Sequence, residues 1–514
     1  MKKLIILIAC AAMPASLFAE QWQVLGTRPM GMGGAFVAVA QGPIAQYWNP
    51  AGLVKSSANV SGLEIPVGVT AEFTGNIIKN ASEIGDMSKS FSSTQQDQRT
   101  GSSPMNADQM AAFAKTVSLM SDMNKPGKGA LFQVAGGANF KFSKVSLSVN
   151  NYTSVGLNPF IDTVNIGLGN GGAGVSGVNF TGANQTDTSY DSAEAAFNSA
   201  INTIGYGNIN SLICGNPTCL NTDQSITSQT TFVYALINTA VADGQTAEQI
   251  NEAANTLSQY ASQVAPIIAG AASGNPYTNN NSNLGVVGAS FVEVAAGYGW
   301  NKDNWLQGLS FGANLKAING KTAVTSFRFM SEGDTSQAFK LDDVKSSWQP
   351  SADIGFLWDV RKKYPNAPLR PKMGLVIRNI NSPSFKTNGA GKYDLDRQVR
   401  LGFALNPAKF WTLAMDLDVT KNKTPVKGFD SRQLCLGTEI NIVNRKAFNI
   451  PLRAGIMSNL AEKDSKRAYT LGTGLNLLFM HFDVSAVVSS ERTVLDNKEI
   501  PSKVGVAASF GLLF

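Results

Sequence analysis

Histidine is nearly absent from the chain: one residue, His481, in 514. A serine hydrolase needs a histidine placed to take the nucleophile's proton, and His481 stands at a predicted tight turn beside Phe482. The chain is therefore not read as an enzyme. Cysteine is scarce as well, at four residues including Cys10 near the start, and acidic stretches such as Asp394-Leu395-Asp396 lack the spacing and closing glutamate of a calcium loop. No metal or cofactor is expected. Charge of one sign is missing too. Without Lys2 and Lys3, 40 basic residues face 36 acidic ones, a dispersed net +4 that excludes a nucleic-acid surface. Beyond the first twenty residues there is no run of about 18 apolar residues, which excludes a transmembrane helix. If the chain spans a membrane, it does so as strands.

What is present begins with Lys2 and Lys3, an apolar run from Leu4 to Met13, the helix breaker Pro14 and the small-residue stretch Ala15 to Ala19. Together these read as a secretory signal peptide over residues 1–19, cleaved after Ala19. Leu7-Ile8-Ala9-Cys10 loosely matches a lipoprotein box, but the apolar run continues past Cys10. The other end carries a strand. From Val504 onward, Val506, Ala508, Phe510, Leu512 and Phe514 fall on one face, with Gly505, Ala507, Ser509 and Gly511 on the other. A bare apolar strand needs a neighbour, because an exposed edge invites pairing with other chains. The neighbour is the first strand, and the export signal and the lipid-facing strand together place the protein in the cell outer membrane.

Alternating segments are predicted near 57–75, 129–142, 145–155, 286–300, 305–318, 348–360, 371–380, 398–406, 410–420, 431–443, 450–458, 467–478, 481–489 and 503–514. That is fourteen, and an even count puts both chain ends on the periplasmic side, with short turns there and long loops outside. The connections alternate accordingly. The fold class is all-β: a 14-stranded antiparallel transmembrane β-barrel over residues 57–514, preceded by an N-terminal hatch over 20–56 and carrying helical extracellular insertions at 76–128 and 156–284.

The two faces of the strands differ. Near residue 410, Trp411, Leu413, Met415, Leu417 and Val419 alternate with Thr412, Ala414, Asp416, Asp418 and Thr420. A charge on the lipid face near the midplane costs about 2 to 4 kcal/mol, so the charged face is assigned to the lumen. The lumen charges include Lys316, Asp353, Arg378, Arg400, Asp416, Asp418 and Glu439, with Glu293, Arg453 and Asp483. They read as a salt-bridged interior, or else as a polar path or a surface on which a plug docks. Phe142, Trp300, Trp305, Trp358, Phe410, Trp411, Phe479, Phe482 and Phe514 cluster beside the short turns, as an interfacial aromatic girdle would.

Helical spacing appears only inside the two insertions: Met110, Phe113, Val117 and Met120 in the first, then three patterns in the second. Those three are Phe197, Ala200 and Ile204; a segment from Ser228 to Ala242; and Ile250, Ala254, Leu257, Ala261, Val264 and Ile268 behind a Thr246 to Gln249 capping box. The stripes are expected to pack on each other rather than hold a cofactor. Cys214 and Cys219, in CGNPTC, can close a short disulfide loop; a metal or redox pair is the alternative, for which no His or further Cys lies near. Cys435 is left as a small packing residue.

Ahead of the first strand stands GTRPMGMGGAFVAVAQGPIAQYWNPAGL, Gly26 to Leu53, whose glycines and Asn49-Pro50-Ala51 imply a compact, turn-rich segment. Gly31, Gly33, Gly34 and Ala35 with Asn49, Pro50 and Ala51 resemble the N-terminal hatch of the FadL family of outer-membrane proteins. The segment GLVIRNINSPSF, Gly374 to Phe385, is similar to one found in the TraF-like branch of that family. The resemblance implies a lumen plugged by the N-terminal segment and passage of hydrophobic small molecules, of long-chain fatty acid or hydrocarbon type, from outside and sideways into the membrane. It implies outer-membrane lipid and barrel-assembly machinery as partners. Other relatives imply instead a non-transporting barrel for a secretion, conjugation or surface-attachment system, with a surface or secretion protein as partner. The two large helical insertions depart from the fatty-acid transporter.

Overall fold

The computed structural model describes residues 18–54, 61–83, 107–163, 186–214, 228–242, 244–272, 281–301, 306–328, 344–388, 391–445, 448–463, 465, 467–495 and 498–513. Strands β1 (Gly62–Thr74), β2 (Gly129–Phe142), β3 (Val145–Phe160) and β4 (Asn283–Asn301) open the barrel. They are followed by β5 (Leu309–Arg328), β6 (Lys345–Asp359), β7 (Lys372–Arg378), β8 (Gln398–Ala408) and β9 (Trp411–Asp418). The wall is completed by β10 (Gln433–Arg445), β11 (Phe448–Asn459), β12 (Ala468–Leu477), β13 (Met480–Ser489) and β14 (Lys503–Leu513). Each strand pairs with its sequence neighbours, and β14 pairs antiparallel with β1, from Leu513 opposite Gly62 to Lys503 opposite Glu72. An ion pair of 2.9 Å between Lys503 and Glu72 crosses this seam.

The alternation along each strand is inverted relative to a water-soluble sheet. On β3, Val145, Leu147 and Val149 are about half exposed while Ser146, Ser148 and Asn150 are buried; on β5, Leu315 is 74% exposed beside buried Lys316. Apolar side chains outside and polar ones inside are what a lipid-facing barrel requires. All fourteen expected strands are present, but several run longer than their sequence pattern. The expected ends at 155 and 318 fall short because Gly156 and Gly320 look like turn residues. In the barrel both remain in the ladder. Each is small because something packs over it: a Cβ on Gly156 would overlap Pro425, and one on Gly320 would overlap the Phe385 ring. The second insertion accordingly shrinks to 161–282, and the first strand starts at Gly62 rather than 57.

The N-terminal segment contains two short helices, α1 (Thr27–Gly31) and α2 (Ala45–Trp48), and a 3-10 turn (Pro50–Val54). On the long-loop end stand α3 (Ala107–Met123), α4 (Asp191–Ile204), α5 (Tyr206–Cys214), α6 (Gln229–Ala242) and α7 (Ala247–Ala272). Phe197, Val233, Ile237, Ile250, Leu257 and Val264 share one apolar core with Val117 of α3. The start of α7 is a reciprocal capping box: the Thr246 amide donates to Gln249 Oε1 at 2.9 Å and the Gln249 amide to Thr246 Oγ1 at 3.3 Å. Helix α5 was not anticipated. Cys219 and the Cys214 side chain lie outside the described residues, as do Phe514 and Trp305.

Candidate functional site: the lumen and its N-terminal segment

The N-terminal segment lies inside the barrel and makes its first contacts near the long-loop end. There the buried Glu20 carboxylate accepts hydrogen bonds from Ser154 (2.7 Å), Tyr393 (2.8 Å) and Gln23 (3.0 Å). Burial pushes the Glu20 carboxyl above its ordinary range, the hydrogen bonds working against that shift. Just before it, Phe18–Ala19, which the expected cleavage would remove, pairs with Tyr393 and Asp394 of a strand, Lys392–Asp394, that pairs in turn with Ser384–Lys386. This small sheet belongs to the β7–β8 connection, which folds into the lumen: Phe385 and Tyr393 are fully buried and stack about Phe291, with centroids 5.1 and 5.5 Å away. Gly374 to Phe385 reads in the sequence as strand and loop, and nothing in its pattern shows that the loop turns inward.

Deeper in, two wall arginines are sandwiched by aromatic rings of the segment. Arg378 lies 4.0 Å from the Tyr47 ring centroid and 5.0 Å from that of Trp22; Arg400 lies 4.4 Å from Trp22 and 5.7 Å from Trp48. Burial pushes the Tyr47 phenol up to about 12, so it stays protonated and donates to the Gln23 carbonyl at 2.6 Å. Helix α1 is pinned by Arg28, which grips Glu439 in a bidentate pair at 2.8 Å for both bonds, and by Thr27 to Ser509 at 2.6 Å.

From α1 the chain runs along the inner wall, and here the glycines matter. Gly33 has φ +64° and Gly34 φ +86°, a left-handed turn that favours glycine. It places Gly33 so close to the wall that a Cβ would sit 2.8 Å from the Ile456 amide nitrogen. The wall answers with glycines of its own. Gly437 and Gly455 face Met32 and Gly33, Gly402 and Gly374 face Val37 and Ala38, and Gly355 and Gly312 face Asn49 and Pro50. Within each pair the two glycines stand opposite one another in adjacent strands. Asp416 Oδ2 accepts both the Phe36 amide (2.8 Å) and the Val37 amide (2.9 Å). Asn49 donates to the Val37 carbonyl at 3.1 Å and the Phe356 carbonyl at 3.0 Å, while its own oxygen accepts from Ala51.

The sequence-derived residues thus fall into distinct groups. Gly31, Gly33, Gly34, Ala35, Asn49, Pro50 and Ala51 all lie in this buried segment. Lys316 bridges Glu293 (3.0 Å) and Asp353 (2.7 Å), with Arg378 3.5 Å from Glu293. Arg400 pairs with Asp418 at 2.6 Å, and Asp416 holds backbone. Glu439 belongs to a third group, Arg28–Glu439–Arg453–Asp483. Sequence reasoning missed Glu20, Arg28 and Glu64. The first two lie where no strand period exists to orient them, whereas Glu64 alternates on β1 as the other lumen charges do and could have been found. His481 is not at a turn: the β12–β13 turn is Leu478–Phe479, and His481 sits within β13 opposite Asn476 and Gly511, buried on the lumen face with Asp483. Cys435 is buried against Gly34. Among the described residues no group of three or more His, Cys, Asp or Glu could hold a metal ion.

Fourteen antiparallel strands, apolar outside and charged within, closed round a lumen that holds the chain's own N-terminal segment, define a transmembrane β-barrel. Residues 46–418 match the family described as "F plasmid transfer operon, TraF, protein", and the chain belongs to that family. Among solved structures it is similar to the Pseudomonas putida toluene transporter TodX, with 10% identity, a TM-score of 0.39 and coverage of 97% of this chain and 100% of that one. It is similar also to the CymD monoaromatic hydrocarbon channel (10% identity, TM-score 0.40, 95% and 97% covered). A Pseudomonas aeruginosa FadL homologue matches at 7% identity and a TM-score of 0.38, with 97% and 99% covered. No curated protein matches the chain.

Proposed function

We propose that this barrel passes hydrophobic small molecules, of long-chain fatty acid or hydrocarbon type, past its N-terminal segment acting as a plug. The observation that carries the reading is the apolar filling of the lumen: Phe291, Ile318, Phe385, Tyr393 and Val287 form one buried cluster with Trp22 and Trp48 of the segment. An aqueous pore would keep that interior polar and open. An apolar solute entering from the long-loop end meets side chains that can part around it, while water-soluble solutes meet a barrier. The wall also has a weak rung. The β1–β2 ladder skips Ile65 and Pro66, and proline has no N–H to donate, which suits sideways exit there. The test is uptake of labelled long-chain fatty acid or alkane by liposomes carrying the protein. No gain over an empty barrel would end this reading. Replacing Asn49 and Pro50 with Ala should raise conductance; unchanged conductance would count against a plug.

A second reading has its own support. The family description points to a conjugation operon, and the helical cap rests on an apolar core of its own. A docking barrel for a transfer or surface-attachment apparatus predicts a protein partner that co-purifies with the intact cap and is lost when the cap is cut away.

A further inference from the structure

At the short-turn end, the N-terminal segment leaves a gap. Between α1, the Gln41 to Ile44 loop and the wall lies a cavity of about 440 Å3, far larger than one water needs. Its ionisable lining is Arg28, Glu64, Glu439, Arg453, His481 and Asp483. Four of these neutralise one another in the Arg28–Glu439–Arg453–Asp483 chain, every link 2.7 to 2.8 Å. Glu64 is left over. It is 8% exposed, accepts a hydrogen bond from the Ile44 backbone and has no ion-pair partner among the described residues. His481, 7% exposed, packs its ring against Gly511 and keeps Nδ1 buried, with no hydrogen-bond partner among the described residues. Asn441, Asn449, Asn476, Phe448 and Phe479 also line it, and the Asn476 amide donates to Asn449 Oδ1 at 3.4 Å.

A carboxyl group without an ion-pair partner, beside amide and aromatic side chains, is complementary to one kind of charge. Carboxylate and carbonyl oxygens accept from N–H donors, and aromatic faces attract cations. An anion would add to the negative charge of Glu64 and Asp483, and both arginines already hold carboxylates. A neutral molecule offers the buried carboxyl no counter-charge and leaves it to neutralise by protonation, whereas a cation pairs with its charged form.

We infer that this cavity is a binding site for a small organic ammonium ion, with Glu64 as its charge partner. The site borders the apolar filling of the lumen at Phe36 and Ile44 but does not depend on the transport reading.

The test is calorimetric titration of the full-length protein in detergent with butylammonium, and with 1-butanol and butyrate as neutral and anionic analogues of the same length. Saturable binding of butylammonium alone is expected. Glu64→Gln should weaken it by about tenfold or more, the loss of one charge-assisted contact, and Phe479→Leu by less. Heat-modifiable gel mobility establishes that each variant barrel is folded. Equal binding of butanol or butyrate, undiminished binding by folded Glu64→Gln, or no saturable heat from folded wild type would each overturn the assignment. Should Glu64→Gln not fold, His481→Ala and Phe479→Leu carry the same test: unchanged affinity in both would overturn it.

Discussion

In the helical cap, Phe197, Ile201 and Ile204 of α4 meet Ile250, Leu257 and Val264 of α7 across an apolar core. In the lumen, Arg400 meets Asp418, Lys316 meets Asp353, and a glycine belt meets bare backbone. Both regions bury large side chains, yet one is held by contacts that are non-directional and the other by contacts that work at one geometry only. A cap residue can therefore be lost with local damage, whereas a lumen residue fixes where the whole N-terminal segment lies.

The sharpest way to break this contrast is to fill the belt. Gly355→Val puts a side chain where Asn49 and Pro50 lie. The cost should exceed the about 1 to 3 kcal/mol of ordinary overpacking, because part of the obstacle is backbone. The barrel should still assemble, with the segment displaced and conductance and antibiotic entry raised. Unchanged leak would mean that the segment does not need this seat. In the cap, Phe197→Ala should cost about 3 to 5 kcal/mol, but locally: faster proteolysis between α4 and α7, with heat-modifiable mobility and conductance unchanged. If mobility is lost too, cap and barrel fold as one unit and the contrast fails. Asp416→Ala is milder. It strips the acceptor from the Phe36 and Val37 amides, about 1 to 3 kcal/mol for each buried donor left unsatisfied, and should give a partial rise in conductance below that of Gly355→Val.

The same contrast explains what could be read from the chain. Period-two alternation located all fourteen strands and put Asp353, Asp416, Asp418 and Glu439 on the inner face, since a lipid-facing charge is so costly. Period-four spacing located α4 and α7 with their buried stripes. Which lumen charge meets which was not legible, because pairing depends on the register between strands and on side chains that reach past a neighbouring strand. Arg453 bonds Glu439 on the adjacent strand β10 and Asp483 two strands away on β13. The glycines were the ambiguous letters. Gly156 and Gly320 look like turns, and Gly355 and Gly402 look like gaps in a strand; each is a place where a second segment comes within contact distance, and that segment is not written locally.

The smallest effect concerns the two ends of the segment, and pH separates them. Burial raises the Glu20 carboxyl above its ordinary value of 4.5. The docked state therefore binds a proton that the undocked state releases in the window from 4.5 up to the docked value. Glu20's contribution to docking is full below 4.5 and is lost as pH rises through the docked value. Asp396, also raised by burial and then by Asp394, acts in the same direction, so the variant must isolate Glu20. Glu20→Gln keeps the shape and the acceptor for Ser154 while removing the charge that burial opposes. It should flatten part of the pH dependence of N-terminal protease accessibility and make neutral pH slightly less unfavourable for docking. At the other end, Asn49 and Pro50 carry no titratable group, so Asn49→Ala should shift accessibility equally at every pH. An unchanged pH slope in Glu20→Gln would move the origin of any acid effect to the Asp394 and Asp396 loop, and with it the outer anchor of the segment from Glu20 to the inward-folded hairpin.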